Sequence, residues 1–225
     1  MKKIWILCFT LLFFSSPSFA WERAGGISLQ YAGIDTKVTD DIDNNGSVDT
    51  TKDITNDVGI PSLFIEGTNT FGTRGSLTVG LDIIPFEAEF DSRSTTQSSV
   101  KGKDDGAATS GTNRGTVTIS NHLTIYVQPG VQVNDDVTLF ATAAYVTSDA
   151  EAEVTSVSST NKTVDLTLDG TKLGFGLKRN TNFGFMKFEY AKTDYDPISV
   201  VTSNNTKVTG DMDNTGLTLS FGKSF

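Results

Sequence analysis

The sequence predicts an all-β fold: an eight-stranded antiparallel up-and-down transmembrane β-barrel, preceded by a cleaved signal peptide. Three observations predict it. Apolar and polar residues alternate over stretches of eight to twelve residues rich in Val, Ile, Thr, Phe and Tyr, and a period of two belongs to strands. Short and long connections alternate along the chain. The last strand carries an apolar face that ends in the aromatic Phe225.

Residues 1–20 have a composition of their own. Lys2 and Lys3 precede an apolar run from Ile4 to Phe14, and Ser15, Ser16, Pro17, Ser18, Phe19 and Ala20 follow, which is the pattern of a secretory signal peptide. The apolar run is about eleven residues, short of the roughly twenty that a helix needs to cross a bilayer. Ser18 and Ala20 supply the small residues of the cleavage site, so cleavage is expected after Ala20. Cys8 lies inside the apolar run with no small-residue pair before it, which argues against a lipoprotein. It is the one cysteine of the chain, so the mature domain, 21–225, is expected to owe nothing to disulfides or thiolate-bound metal. Without the two lysines, 16 basic residues face 27 acidic ones, a charge of about −11. That balance disfavours a nucleic-acid partner. No proline-rich linker or shift in composition divides residues 21–225, so one domain is expected.

Strands are placed near 26–38, 58–70, 75–90, 115–129, 136–149, 166–179, 183–195 and 214–225. No stretch after residue 20 has eighteen consecutive apolar residues, and few windows show helical spacing. The connections Asn69–Gly75, Val133–Asp136 and Asn180–Asn182 are short, whereas those near 39–57, 91–114, 150–165 and 196–213 are long. In an antiparallel meander every second connection returns to the same end, so short turns gather at one rim and long loops at the other. Both termini fall at the short-turn rim.

The alternation assigns the faces. Leu217, Leu219, Phe221 and Phe225 oppose Thr218, Ser220, Gly222 and Ser224. Val117, Ile119, Leu123, Ile125 and Val127 oppose Thr118, Ser120, His122, Thr124, Tyr126 and Gln128, and Leu77, Val79, Leu81 and Ile83 oppose Thr78, Gly80 and Asp82. Near Pro85 the phase slips: Phe86, Ala88 and Phe90 become the apolar set and Glu87 and Glu89 the polar one, as a bulge would produce. This pattern alone also suits a soluble sandwich. Aromatics near strand ends favour a lipid-facing barrel, with Phe71, Phe183, Phe185 and Phe225 at the short-turn rim and Phe86, Phe90, Tyr145, Tyr190 and Tyr195 toward the other, as interfacial belts require. Strand length points the same way.

The C-terminal segment Gly216-Leu217-Thr218-Leu219-Ser220-Phe221-Gly222-Lys223-Ser224-Phe225 resembles the last strand of bacterial outer-membrane proteins, with Phe221 and Phe225 in the places of the assembly signal. Lys223 stands where that family usually has an apolar or aromatic residue. With the signal peptide and eight strands, the whole chain resembles the small-barrel group that includes the OmpA transmembrane domain, OmpX and OmpW. The resemblance implies a bacterial outer-membrane location with periplasmic termini. It also implies outer-membrane lipid and lipopolysaccharide as surroundings, and the barrel-assembly machinery as partner during insertion. It says far less about activity.

An eight-stranded barrel is narrow enough for side chains to fill. Lumen parity collects Glu66, Asp82, His122, Lys178, Lys187 and Glu189, and buried charges must pair, so a salt-bridged plug is expected; a narrow path for ions or solutes is the alternative. In the first long loop Asp41, Asp43, Asn45, Gly46 and Asp49 resemble the opening of an EF-hand calcium loop. Position twelve of that pattern is Lys52, with Asp53 one residue late, so either a weak calcium site or a solvated acidic turn is expected, with no other cofactor. Ser120 and His122, two apart, are expected on one face, the basis for a lipid-modifying enzyme as a third reading; no orienting carboxylate accompanies them. The preferred expectation is a non-enzymatic barrel with a structural role in the envelope, presenting four long loops for surface recognition of a ligand the sequence does not name.

Overall fold

The structure, a computed structural model, describes residues 21–41, 46–101, 108–155, 162–201 and 207–225. Ten strand segments follow one another: β1 Glu22–Asp41, β2 Thr50–Phe71, β3 Gly75–Ile84, β4 Ala88–Lys101, β5 Ala108–Gln132, β6 Val137–Thr155, β7 Lys162–Thr181, β8 Gly184–Tyr195, β9 Ile198–Val201 and β10 Lys207–Ser224. Every pairing is antiparallel, and β1 closes the sheet on β10 from Ala24↔Ser224 to Asp41↔Lys207. β3 and β4 are the two halves of one stave, and β8 and β9 are the halves of another, so the ring has eight staves. It has no helix among the described residues.

Three turns, at residues 72–74, 133–136 and 182–183, lie at one rim with both ends of the domain. Gly72 sits in the first of them with φ +60°, which glycine adopts without steric cost. At the other rim the strands run much further than the sequence predicts. β5 alone has 25 residues, against the roughly 9–11 that cross a tilted hydrocarbon layer. Most of 39–57, 91–114, 150–165 and 196–213 is therefore strand, not loop. Thr, Asn, Asp, Gly and Ser in these stretches read as turn formers, yet each residue also fits a twisted, solvated hairpin in which strand pairs with strand and water meets the outer edges.

Two fins result. Beyond Leu63↔Ile83 no described pairing joins β2 to β3 or β4, and beyond Gly170↔Tyr195 none joins β7 to β8 or β9. The ring opens there into β9-β10-β1-β2 on one side and β4-β5-β6-β7 on the other.

Alternation carries through to burial. Ile27, Leu29, Leu63, Ile65, Leu173, Phe175, Leu217 and Phe221 face outward and are exposed, whereas Ser28, Glu66, Thr78, Gln128, Lys187 and Ser220 face inward and are buried. Polar side chains inside and apolar ones outside invert the soluble pattern, because the outer face meets hydrocarbon. Exposed aromatics bound this apolar band: Phe71, Phe183 and Phe225 on the short-turn side, Tyr31, Tyr145 and Tyr190 on the other. Phe185 and Tyr195 do not belong to these belts. Both take the inward parity of β8, and Phe185 is 4 % exposed.

The phase slip at Pro85 is a real break: residues 85–87 leave the ladder between β3 and β4. β5 carries a matching irregularity between Ser120 and Leu123, where Asn121 has φ +52°, a conformation asparagine tolerates better than most residues. The extra residue reverses the parity of β5 beyond it. Ile119 pairs with Ala150, which is buried and inward, so Ile119 points into the lumen and not at lipid.

Candidate functional site: the barrel lumen

The inward positions of β2, β5, β6, β7 and β8 build a polar layer across the middle of the barrel. Glu66 of β2 is its centre. Its Oε2 lies 2.5 Å from Lys187 Nζ and accepts a 2.8 Å hydrogen bond from the Tyr126 hydroxyl, while Oε1 lies 3.7 Å from Lys178 Nζ. Lys187 also donates to Gln128 Oε1 at 3.4 Å, and Gln128 Nε2 donates to Thr142 Oγ1 at 3.1 Å and to Glu189 Oε2 at 3.3 Å. Lys172 Nζ completes the chain, 2.8 Å from Glu189 Oε1. Aromatic rings pack against these groups: Phe64 and Phe185 meet at 6.1 Å between centroids, Lys178 lies 3.9 Å from the Phe185 centroid, and Lys187 lies 4.8 Å from that of Phe64. A cation over a ring keeps some of the stabilisation it loses with water.

Glycine opposite each large ring makes room for it. A Cβ on Gly80 would overlap Tyr126 Cζ and Oη, and one on Gly222 would overlap Phe185 Cζ. The rings fill space that the neighbouring strands leave empty.

Of the sequence-predicted lumen residues, Glu66, Lys178, Lys187 and Glu189 come together in this layer. Asp82 sits outside it, accepting from Ser62 Oγ at 2.9 Å. His122 lines the upper lumen, and its Nδ1 has no hydrogen-bond partner among the described residues. Tyr126, Gln128 and Lys172 were missing from the expected set. Their parity marked them: Tyr126 and Gln128 share the face of Thr124, and Lys172 lies six residues before Lys178 on β7.

Ser120 and His122 do not share a face. Ser120 pairs with Asp149, which points outward between buried Ser148 and Ala150, whereas His122 pairs with Ile84 and points inward. The bulge at Asn121 separates them. In the first long connection, Asp41 Oδ2 accepts from the Gly46 backbone N–H at 2.8 Å; Asp43 and Asn45 lie outside the described residues, and Asp49 is described. Among the described residues no cluster of three or more His, Cys, Asp or Glu could hold a metal ion.

Two cavities flank the polar layer. The one toward the short-turn rim, about 270 Å³, is lined by Arg74, Ser76, Thr138 and Lys178 among others; the upper one, about 120 Å³, is lined by apolar side chains such as Ile60, Ile84, Val146 and Leu168 together with polar ones such as Asp82, Lys172, Glu189 and Asn214. Gln128 and Lys187 line both. Beyond the tyrosine belt, on the outer face, Lys192 lies 2.7 Å from Asp194 and 3.6 Å from Asp213. The hydrogen bond to Asp194 holds its ammonium pKa above the usual value.

Solved structures are similar to the chain at low identity. The outer membrane protease OmpT from Escherichia coli superposes with a TM-score of 0.56 at 12% identity, covering 94% of this chain and 99% of that one. Ail, the attachment invasion locus protein of Yersinia pestis, gives a TM-score of 0.40 at 13% identity over 89% of this chain and 99% of its own. Neisserial surface protein A gives 0.35 at 10% identity, over 90% and 99%. No curated protein matches the chain. The family model described as the outer membrane protein beta-barrel domain matches residues 6–225, and the chain, with its eight-stave ring, apolar exterior and polar lumen, belongs to that family of bacterial outer-membrane proteins.

Proposed function

We propose that the protein is a closed, non-enzymatic barrel that holds long hairpins above the outer membrane for structural support and surface recognition. Residues 1–20 are removed on export, the termini and short turns lie in the periplasm, and the hairpin tips lie outside. The observation that carries the reading is the Lys187–Glu66 pair, tied through Gln128 to Glu189 and Lys172. It crosses the lumen from β8 and β2 to β5 and β7, and moving a solute past it means separating buried, paired charges. Lipid surrounds the outer face, and the C-terminal Phe221 and Phe225 serve the assembly machinery. The separation of Ser120 from His122 counts against the enzyme.

A narrow pore is the second reading, favoured by one observation: the cavities above and below share Gln128 and Lys187, so the layer between them is thin. Planar-bilayer recording decides between the two. A closed barrel gives no reproducible conductance, and stable steps that shift in Glu66→Gln or Lys178→Met would sink the plug. Weak calcium binding near Asp41 and Asp49 is read out separately, as a rise in melting temperature with millimolar calcium that Asp43→Ala abolishes.

A further inference from the structure

We infer that the upper lumen binds a single-chain amphiphile with a small neutral head, taken from the bilayer through a gap in the wall between β2 and β3. The β2–β3 ladder runs from Phe71↔Gly75 to Leu63↔Ile83 and stops. Continued by two residues, it would set Pro61 opposite Pro85. Neither residue has an N–H to donate, and prolines in a sheet are confined to edges and breaks. Past that point β2 pairs only with β1, and the other wall turns away through residues 85–87 into β4, which pairs only with β5.

On the outer face, a groove of about 470 Å³ lies against the gap, lined by Leu29, Pro61, Leu63, Pro85, Phe86 and Leu219. Inside lies the upper cavity of about 120 Å³. Ser28, Ser62 and Phe86 line both spaces. Ser62 has inward parity and sits on β2 beside the end of the β2–β3 ladder, so at the gap one strand's thickness separates the groove from the cavity. The apolar groove suits a hydrocarbon tail that never leaves the membrane, and the Ser62 hydroxyl marks where a polar head would pass.

The cavity sets the head. Asn214, 6 % exposed, lines it with an Oδ1 that has no hydrogen-bond partner among the described residues, and His122 Nδ1 is in the same condition. Buried polar atoms are nearly always paired, so a donor on a bound head supplies what Asn214 lacks. The charges that line the cavity cancel, Asp82 and Glu189 against Lys172 and Lys187, which favours a neutral head over an ionic one. The volume approaches that of the ~150 Å³ engineered cavity that admits benzene, enough for a hydroxyl or amide head with a few methylenes. This route enters from the side and does not depend on whether the layer below conducts.

The test uses full-length mature protein in deuterated-detergent micelles, with 1-decanol as probe and decane and decanoate as controls, followed by NMR. Decanol should shift the Asn214 side-chain amide and the His122 ring signals saturably and give intermolecular contacts to Ser62, whereas decane and decanoate should not. Ser62→Leu at the gap and Asn214→Leu in the cavity should each weaken decanol binding about fivefold or more, with the fast gel migration of the unheated, folded barrel retained. Should either variant fail to fold, the three ligands on the unsubstituted protein still decide. Equal shifts from decane, or decanol contacts confined to outward residues such as Leu63 and Ile83, overturn the inference.

Discussion

The two halves of the lumen differ in how their inward groups are held. In the short-turn half Glu66 meets two lysines and a tyrosine, Thr68 and Thr78 bond at 2.8 Å, and the rings of Phe64 and Phe185 pack beside these groups, next to the cavity of about 270 Å³. In the long-loop half Asn214 Oδ1 and His122 Nδ1 lack partners among the described residues, the cavity is the smaller one, about 120 Å³, and the wall parts at Pro61 and Pro85. Both halves obey the same two-residue alternation. What separates them is continuity of the ladder. Around Glu66 every stave is bonded on both sides and inward groups are held at fixed spacing; at the breaks near Pro85 and Asn121 the wall parts and the parity of β5 reverses beside His122, while Asn214 sits on a stretch of β10 bonded on both sides.

The sharpest way to break the contrast is to unbalance the closed half. Lys187→Met leaves Glu66 with Lys178 at 3.7 Å as its only cation. Removing one partner of a buried ion pair costs about 3–5 kcal/mol, so the midpoint of denaturant unfolding in detergent should fall accordingly. Lys172→Met at the edge of the open half should cost less, since Gln128 still donates to Glu189. A double variant, Glu66→Gln with Lys187→Met, should lose less than the sum of its parts. Additive losses would mean that the pair is not coupled.

A smaller effect is expected from Gly80→Ala. The added methyl overlaps the Tyr126 ring, the ring must tilt, and its hydroxyl is drawn off Glu66. Overpacking of this kind costs about 1–3 kcal/mol. Denaturant unfolding measures it, and the Tyr126 hydroxyl proton, slow to exchange while it is bonded to Glu66, should exchange faster. An unchanged midpoint would show that the ring has room to spare.

Much of this contrast was legible in the sequence and part of it was not, for reasons that individual residues make plain. Parity alone sent Glu66, Lys178, Lys187 and Glu189 inward, because a closed ring gives an unbroken strand no other choice. The same rule misplaced Ile119 and joined Ser120 to His122, since one residue, Asn121, in a left-handed turn reverses every side chain beyond it. Nothing in a lone asparagine announces that. The phase slip at Pro85 was visible, but its consequence was not: the gap needs Pro61 in register with Pro85, and register is a property of two strands together. Phe185 read as a belt residue because aromatics cluster at rims, yet Gly222 beside it leaves a hole inside the barrel that the ring fills. The long hairpins were read as loops because turn-forming residues are also tolerated in solvated strands.

The least disruptive perturbation asks what holds the two halves apart. Pro85→Val restores one backbone donor at the position facing Pro61, and valine suits a strand. If the missing donor is what stops the ladder, the new amide should bond across to β2 and add about 0.5–1.5 kcal/mol. Its hydrogen exchange should then be protected, and protection at Ser62 should rise with it. If the turn at Asn121 holds the wall open instead, the new amide will exchange as fast as a solvated one, and the stability will not change. Asn121→Gly is the control that keeps the turn. Glycine takes the same positive φ without strain, so this change should leave the gap and the parity of Ile119 as they are. A protected amide at the substituted position in Pro85→Val, with no protection gained at Ser62 in Asn121→Gly, places the cause of the open half in the two prolines.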